Sequence, residues 1–207
     1  MRVALFLPSP SPSSDFFLRI LSTYDTIIAV DGAANMCKEW GITPQYIIGD
    51  FDSLSLETKK QFARTSTLLH RPSQETTDLQ EAITFAMQTF PSAHIDIVGG
   101  NSSEEIDHTL SNMLFLRLLP PESKMITNHH TIFFLSASHQ FSQKVGSLFS
   151  VFALTHVKNL SYSGAKYKLY KKSVPALWCG SRNKTTKKTC TISFDEGMLL
   201  VIFYRNP

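Results

Sequence analysis

Two carboxylates one residue apart, Asp50 and Asp52 in the run Ile48-Gly-Asp-Phe-Asp-Ser53, come directly after the apolar stretch Tyr46–Ile48. Read as the end of a strand, that run turns both acids to one side and Phe51 to the other. Like charges this close repel and raise each other's pKa unless a cation sits between them. Mg²⁺, a hard ion that takes oxygen ligands and often accompanies phosphate, relieves that repulsion. The pair reads as a metal–phosphate centre.

Further polar groups come after other apolar runs. Asp31-Gly-Ala-Ala-Asn35 comes after Thr26–Val30, and Gln74-Glu-Thr-Thr-Asp78 after Thr67–His70. Gly99-Gly100 through Asp107-His108 comes after His94–Val98. Each has a plainer reading: Asp31-Gly as a turn, Asp78 and Asp107 as first-turn helix acids, Asn35 and His108 as surface residues. Their recurrence at successive strand ends favours a shared crevice, where helix N-termini also attract phosphate.

The elements that carry these groups alternate. Val3–Leu7, Thr26–Val30, Tyr46–Ile48, Thr67–His70 and His94–Val98 read as strands. Between and after them, Asp15–Leu21, Ala33–Trp40, Ser55–Ala63, Asp78–Phe90 and Asp107–Leu119 read as helices, the fourth with apolar residues at helical spacing. That order predicts a mainly parallel sheet covered on both faces, a three-layer, Rossmann-like α/β domain over residues 1–132. From about Thr131 the texture changes. Ile132–Leu135, Ser147–Leu154, Lys166–Tyr170, Lys188–Phe194 and Met198–Tyr204 are β-rich, with turns at Gly146, Gly164, Gly180 and Asp195–Gly197. This predicts an all-β antiparallel sandwich over residues 133–207.

The chain has 207 residues, 43% of them hydrophobic and 18% charged, with a formal charge of +3. That is the profile of a soluble globular protein, with too little charge to argue for nucleic acid. Cys37, Cys179 and Cys190 have no metal-type spacing and cannot all pair, which favours a reducing, cytoplasmic setting. The apolar start is broken at Pro8, Pro10 and Pro12, too soon for a signal or a membrane span.

Asp31-Gly-Ala-Ala-Asn35, Gly41-Ile-Thr-Pro44 and Gly49-Asp-Phe-Asp-Ser53 together resemble the opening of thiamine pyrophosphokinases, whose pattern there is DGGAN, Gly-Ile-x-Pro and GDFDS. Thr77-Asp78 resembles the family's T-D pair, and Asp107-His-Thr-Leu110 with Asn112 its D-H-x-L-x-N helix start. Gly164-Ala-Lys-Tyr-Lys-Leu169 is similar to the family's G-(L/F)-K-Y-x-L strand, and Ser181-Arg-Asn183 stands where the family has Ser-Asn. The resemblance runs from about residue 30 to 203. Ala33 replaces a glycine, and Ser103-Glu-Glu105 replaces Gly-Gly-Arg. Losing that arginine weakens phosphate binding or shifts it to another cation, with Arg71, Lys144 and Arg182 as substitutes.

The resemblance implies transfer of diphosphate from ATP to the hydroxyl of thiamine, giving thiamine diphosphate and AMP. It implies Mg²⁺ on Asp50, Asp52 and Asp78, one of which, Asp78 or Asp50, takes the hydroxyl proton. Asp31, Asn35, Thr77, Gly99, Asp107 and His108 are then expected near the nucleotide. Gln74, Trp178, Ser181 and Asn183 are expected near the vitamin, although Trp178 reads equally well as a sandwich aromatic. It further implies a homodimer with the thiamine site between subunits, and no nucleic-acid or membrane partner. The rival readings are a pyrophosphokinase acting on another alcohol, such as a hydroxymethyl-pterin, and a thiamine- or nucleotide-binding protein without turnover.

Overall fold

The computed structural model describes residues 1–9, 14–72 and 75–205. The chain divides into two compact units, Met1–Asn128 and His129–Pro207. Among the described residues, no helix is long and apolar enough to cross a membrane.

In the first unit, β1 (Arg2–Phe6), β2 (Thr26–Val30), β3 (Tyr46–Gly49), β4 (Thr67–His70), β5 (His94–Val98) and β6 (Met125–Ile126) form a parallel array. Their order is β6-β5-β1-β2-β3-β4. The central strands are near-continuous apolar runs, as expected where both faces are covered. On one face Ala4, Phe6, Ala29 and Ile47 share a core with Phe17 of α1 (Ser14–Leu21), Cys37 of α2 (Ala33–Glu39) and Phe62 of α3 (Leu56–Phe62). On the other, α4 (Asp78–Thr89) buries Leu79, Ala82, Ile83 and Ala86 and packs on β1, β2 and β3. The ring of Phe85 lies 5.0 Å from that of Tyr46.

The chain winds outward from β1 to β4, and α4 then returns it to β5 beside β1. Loops leaving β1 and β5 diverge there, which opens a crevice at the strand ends. Local chemistry fixes the helix starts that face it. Ser55 caps α3 by accepting the Thr58 N–H, and Thr77 with Gln80 forms a capping box at the head of α4. The last helix is shorter than its pattern suggests: α5 spans Ile106–Phe115, and a single 3₁₀ turn, Leu116–Leu118, comes after it.

The second unit holds two antiparallel sheets. One is ordered β12 (Cys179–Lys184), β9 (Leu148–Ala153), β14 (Leu199–Tyr204), β7 (His130–Leu135). The other is ordered β11 (Lys172–Val174), β10 (Val157–Ser163), β13 (Thr189–Ser193), β8 (His139–Ser142). Phe149, Val151 and Phe203 of the first share one core with Leu160, Cys190 and Ile192 of the second, which makes the unit a sandwich.

Two expectations fail here. Lys166–Tyr170 is not a strand. Gly164 turns the chain with φ 71°, and an added Cβ there would lie 2.2 Å from the Thr189 carbonyl oxygen. The segment beyond it forms no ladder: its backbone bonds go to separate partners, the Lys184 carbonyl, the Asn183 side chain and the Tyr162 N–H. Gly180 is not a turn either but sits within β12, where the Trp178 ring would meet an added Cβ at 2.7 Å.

Candidate active site

Asp31 leaves the end of β2 with φ 40°, its N–H donating to the Ile48 carbonyl of neighbouring β3 at 2.8 Å. The residue is 7% exposed and packs against Gly49, where an added Cβ would lie 2.8 Å from the Asp31 Cβ. One oxygen, Oδ1, is buried without a hydrogen-bond partner. Burial pushes the Asp31 carboxyl above its ordinary range, Asp52 and Asp50 add to this, and hydrogen bonds from Ser53 and Gly32 oppose it.

β3 stops at Gly49, so strand alternation does not govern the residues beyond it. Phe51 takes a left-handed conformation, φ 66°, and the Asp52 N–H donates back to Asp50 Oδ1 at 3.1 Å. The Phe51 ring stacks on His70 at 5.3 Å, with the Lys59 ammonium 5.0 Å from its centroid. Asp50 consequently turns inward while Asp52 stays exposed, held by the Ser53 hydroxyl at 2.9 Å. The inward partner of Asp50 is Asp78, first residue of α4, whose Oδ1 accepts the Asp50 N–H at 3.2 Å. Burial, then the charges of Asp31 and Asp50, push the Asp78 carboxyl up to about 6.

Asp31, Asp50 and Asp78 each offer an oxygen within 4.8 Å of the others. The sequence points to Asp50, Asp52 and Asp78. The structure brings Asp31 into that group, because β2 pairs with β3 so that Asp31 comes level with Gly49, next to Asp50. Asp52 is not one of the three, although its charge acts on Asp31 and Asp78. Three hard oxygen donors, one buried and unpaired, fit a Mg²⁺ ion, whose opposite ligands stand about 4.2 Å apart.

Asp31 and Asp78 also line a cavity of about 550 Å³ at the β1–β5 divergence. Gly100, Ser102, Asp107 and His108 line it too, the last two exposed at its mouth. Gly99 shapes the wall from behind: with φ 86°, an added Cβ would stand 2.4 Å from the Leu7 carbonyl oxygen. The Asn112 amide donates to the Gly100 carbonyl at 2.9 Å, and Thr109 both donates to and accepts from the Ser102 backbone. Thr77 lines the cavity as the α4 cap. Glu105, a departure from the family's arginine, lines it as well, and no Lys or Arg does among the described residues.

Other expected residues sit differently. Asn35 is absent from the cavity lining, and its amide is engaged with the backbone of Ser53 and Ser55. Gln74 lies outside the described residues. In the second unit Trp178 is half-buried against the core, as its plainer reading has it, and Ser181 is exposed. Asn183 is 4% exposed and fully engaged: Oδ1 accepts the Tyr167 and Lys184 N–H groups at 3.0 and 2.8 Å, and Nδ2 donates to the Tyr167 carbonyl at 2.8 Å. Arg182 stands at a one-residue bulge between β12 and β9, with φ 53°. Pro8 is an addition to the site, while Ser102 and Glu105 lie within the Gly99–His108 stretch expected there. The signal that finds them is position, since they lie just past the two strands whose loops diverge.

A parallel sheet with clustered carboxylates over a switch-point crevice defines a phosphate-handling α/β domain. The sequence pattern of the thiamin pyrophosphokinase catalytic domain matches residues 17–127, more than half the chain. This protein belongs to the thiamin pyrophosphokinase family, and thiamine pyrophosphokinase activity is its function. Among solved structures it resembles a thiamin pyrophosphokinase family protein from Enterococcus faecalis, at 26% identity and TM-score 0.84 over 100% of both chains. The fold is also that of the enzyme from Bacillus subtilis, at 20% identity and TM-score 0.83 over 100% of both chains. It is likewise that of the enzyme from Candida albicans, at 16% identity and TM-score 0.83 over 99% of this chain and 89% of that one. No curated protein matches the chain in sequence.

Proposed function

We propose that the chain transfers the terminal diphosphate of ATP to the primary hydroxyl of thiamine, releasing thiamine diphosphate and AMP. The observation that carries this reading is the convergence of Asp31, Asp50 and Asp78 beside a cavity at the switch point of the sheet. Asp31, Asp50 and Asp78 would hold Mg²⁺, with Asp52 close enough to add to their field. When bound, the ion neutralises phosphate oxygens and the charge that develops on them in displacement.

The Gly99-Gly100 loop, Thr77, Asp107 and His108 enclose the nucleotide and orient its polyphosphate for in-line attack. Backbone N–H groups at the start of α5 offer donors to it. The hydroxyl proton passes to a carboxylate of the cluster, Asp50 or Asp78. Gln74, Trp178 and Ser181 serve the vitamin, in a site built between two copies of the chain. Ile106, Leu110 and Leu114, large apolar residues left exposed along α5, support a homodimer that covers them. Three free cysteines, two of them buried, support a reducing, cytoplasmic setting.

The test is incubation with ATP, Mg²⁺ and thiamine, with the products separated by chromatography. AMP and thiamine diphosphate in equal amounts are expected. AMP only with a different alcohol would move the substrate assignment to that acceptor, and thiamine binding by calorimetry without AMP would refute the transfer.

A further inference from the structure

We infer that Asn35 is a positioning residue that sets the spacing of the metal-holding carboxylates, and that it does not touch the nucleotide. The inference rests on the reading of Asp31, Asp50 and Asp78 as the metal site. Asn35 sits in the first turn of α2, directly behind Asp31, and the Asn35 and Ala34 N–H groups donate to the Gly32 and Asp31 carbonyls. Its side chain leaves this turn for the next loop. Nδ2 donates to the Ser53 carbonyl at 2.8 Å, and Oδ1 accepts the Ser55 N–H at 3.1 Å.

The two residues it grips are those that fix the acidic loop. Ser53 donates its hydroxyl to Asp52 at 2.9 Å, lies close enough to Asp31 to hold its carboxyl down, and lines the cavity. Ser55 caps α3 and so anchors the far end of the loop. The amide thus ties the segment that carries Asp31 to the segment that carries Asp50 and Asp52.

Such a tie has a physical task. Carboxylates gathered within 4.8 Å repel, and loops free to relax would move apart when no cation is bound. A neutral amide suits this position because it donates and accepts at once without adding charge. Aspartate has the same shape but cannot donate, so it would set an anion against the Ser53 carbonyl.

The test uses the full chain and two variants, Asn35→Asp and Asn35→Ser. Mn²⁺ is titrated calorimetrically into metal-free protein without substrates, and steady-state kinetics are then measured at saturating Mn²⁺. The Mn²⁺ dissociation constant is expected to rise by about tenfold or more, as for loss of other residues that orient metal ligands. kcat is expected to fall while KM for ATP stays within about twofold, because nucleotide contacts made elsewhere persist. A KM for ATP raised with Mn²⁺ binding unchanged would overturn the inference and make Asn35 a nucleotide ligand. Unchanged Mn²⁺ binding and kcat per folded molecule, with only a lower melting temperature, would overturn it in favour of a purely structural tie. If Asn35→Ser does not fold, Asn35→Asp, equal in volume, carries the test. Wild-type protein that binds Mn²⁺ but turns over no ATP would refute the proposed reaction and leave the positioning role standing.

Discussion

The two units differ in sign and in how they treat buried polar groups. Residues 1–128 carry fifteen acidic side chains against nine lysines and arginines, a formal −6. Residues 129–207 carry eleven lysines and arginines against Asp195 and Glu196 alone, a formal +9. The overall +3 conceals that split. The acidic unit buries Asp31 with an oxygen that meets no donor, whereas the basic unit buries Asn183 with both ends of its amide satisfied. An unpaired buried carboxylate beside two others costs stability and persists where a ligand completes it. A saturated buried amide belongs to the scaffold. The contrast separates residues that sequence reading places together as ligand contacts.

The sharpest test of that contrast is Asp31→Asn. Turnover is expected to fall by at least about a hundredfold, the upper range for disturbing groups that merely support a metal site. The melting temperature of the metal-free protein should hold or rise, since an unpaired buried charge is removed. A variant that is both active and less stable would mean that Asp31 belongs to the scaffold. Asn183→Ala should show the reverse pattern. It strands the Tyr167 and Lys184 N–H groups and the Tyr167 carbonyl, and is expected to lower unfolding free energy by about 2 kcal/mol in a urea titration. Activity per folded molecule is expected to stay near normal, and a large loss of thiamine affinity at unchanged stability would contradict this.

The pH dependence comes from Asp78. Its carboxyl is pushed up to about 6 in the folded chain, above its ordinary value of 3.8. Over the interval between those values the folded state holds a proton that the unfolded chain has released. Stability of the metal-free protein from this group is therefore full below the lower value and is lost as pH rises through about 6. A divalent ion replaces the proton, so Mg²⁺ should raise the melting temperature clearly at pH 7.5 and little at pH 5. Equal shifts at both would remove Asp78 from the metal site. The smallest effect is expected from Asp52→Asn, exposed and outside the three-carboxylate group, with turnover reduced by less than about tenfold, the low end for supporting groups. A loss as large as that of Asp50→Asn would place Asp52 on the ion.

Much of the first unit was legible in the sequence because apolar runs mark buried parallel strands and polar loops mark their ends. The Asp50, Asp78 and Gly99–His108 loops are legible this way, and they do meet at one crevice. Asp31 was legible as a residue at the crevice but not as a partner of Asp50, since that depends on β2 lying beside β3. Alternation does not fix where Asp52 points, because it applies only within a strand, and β3 ends at Gly49. In the second unit β8, β10, β11 and β12 are not legible as strands. Val157–Ser163 and Cys179–Lys184 place mostly polar side chains on an exposed face, interrupted by bulges, and leave little apolar period to detect. Lys166–Tyr170 shows the opposite error, an alternating pattern on a segment whose backbone bonds go to scattered partners rather than to one neighbouring strand.

A crystal soaked in Mn²⁺ and measured at the manganese absorption edge would locate the ion directly. One anomalous peak is expected within about 2.2 Å of oxygens from Asp31, Asp50 and Asp78, a little beyond the distance Mg²⁺ takes. A peak held by Asp52 without Asp31, or no peak among these carboxylates at saturating metal, would contradict the site described here.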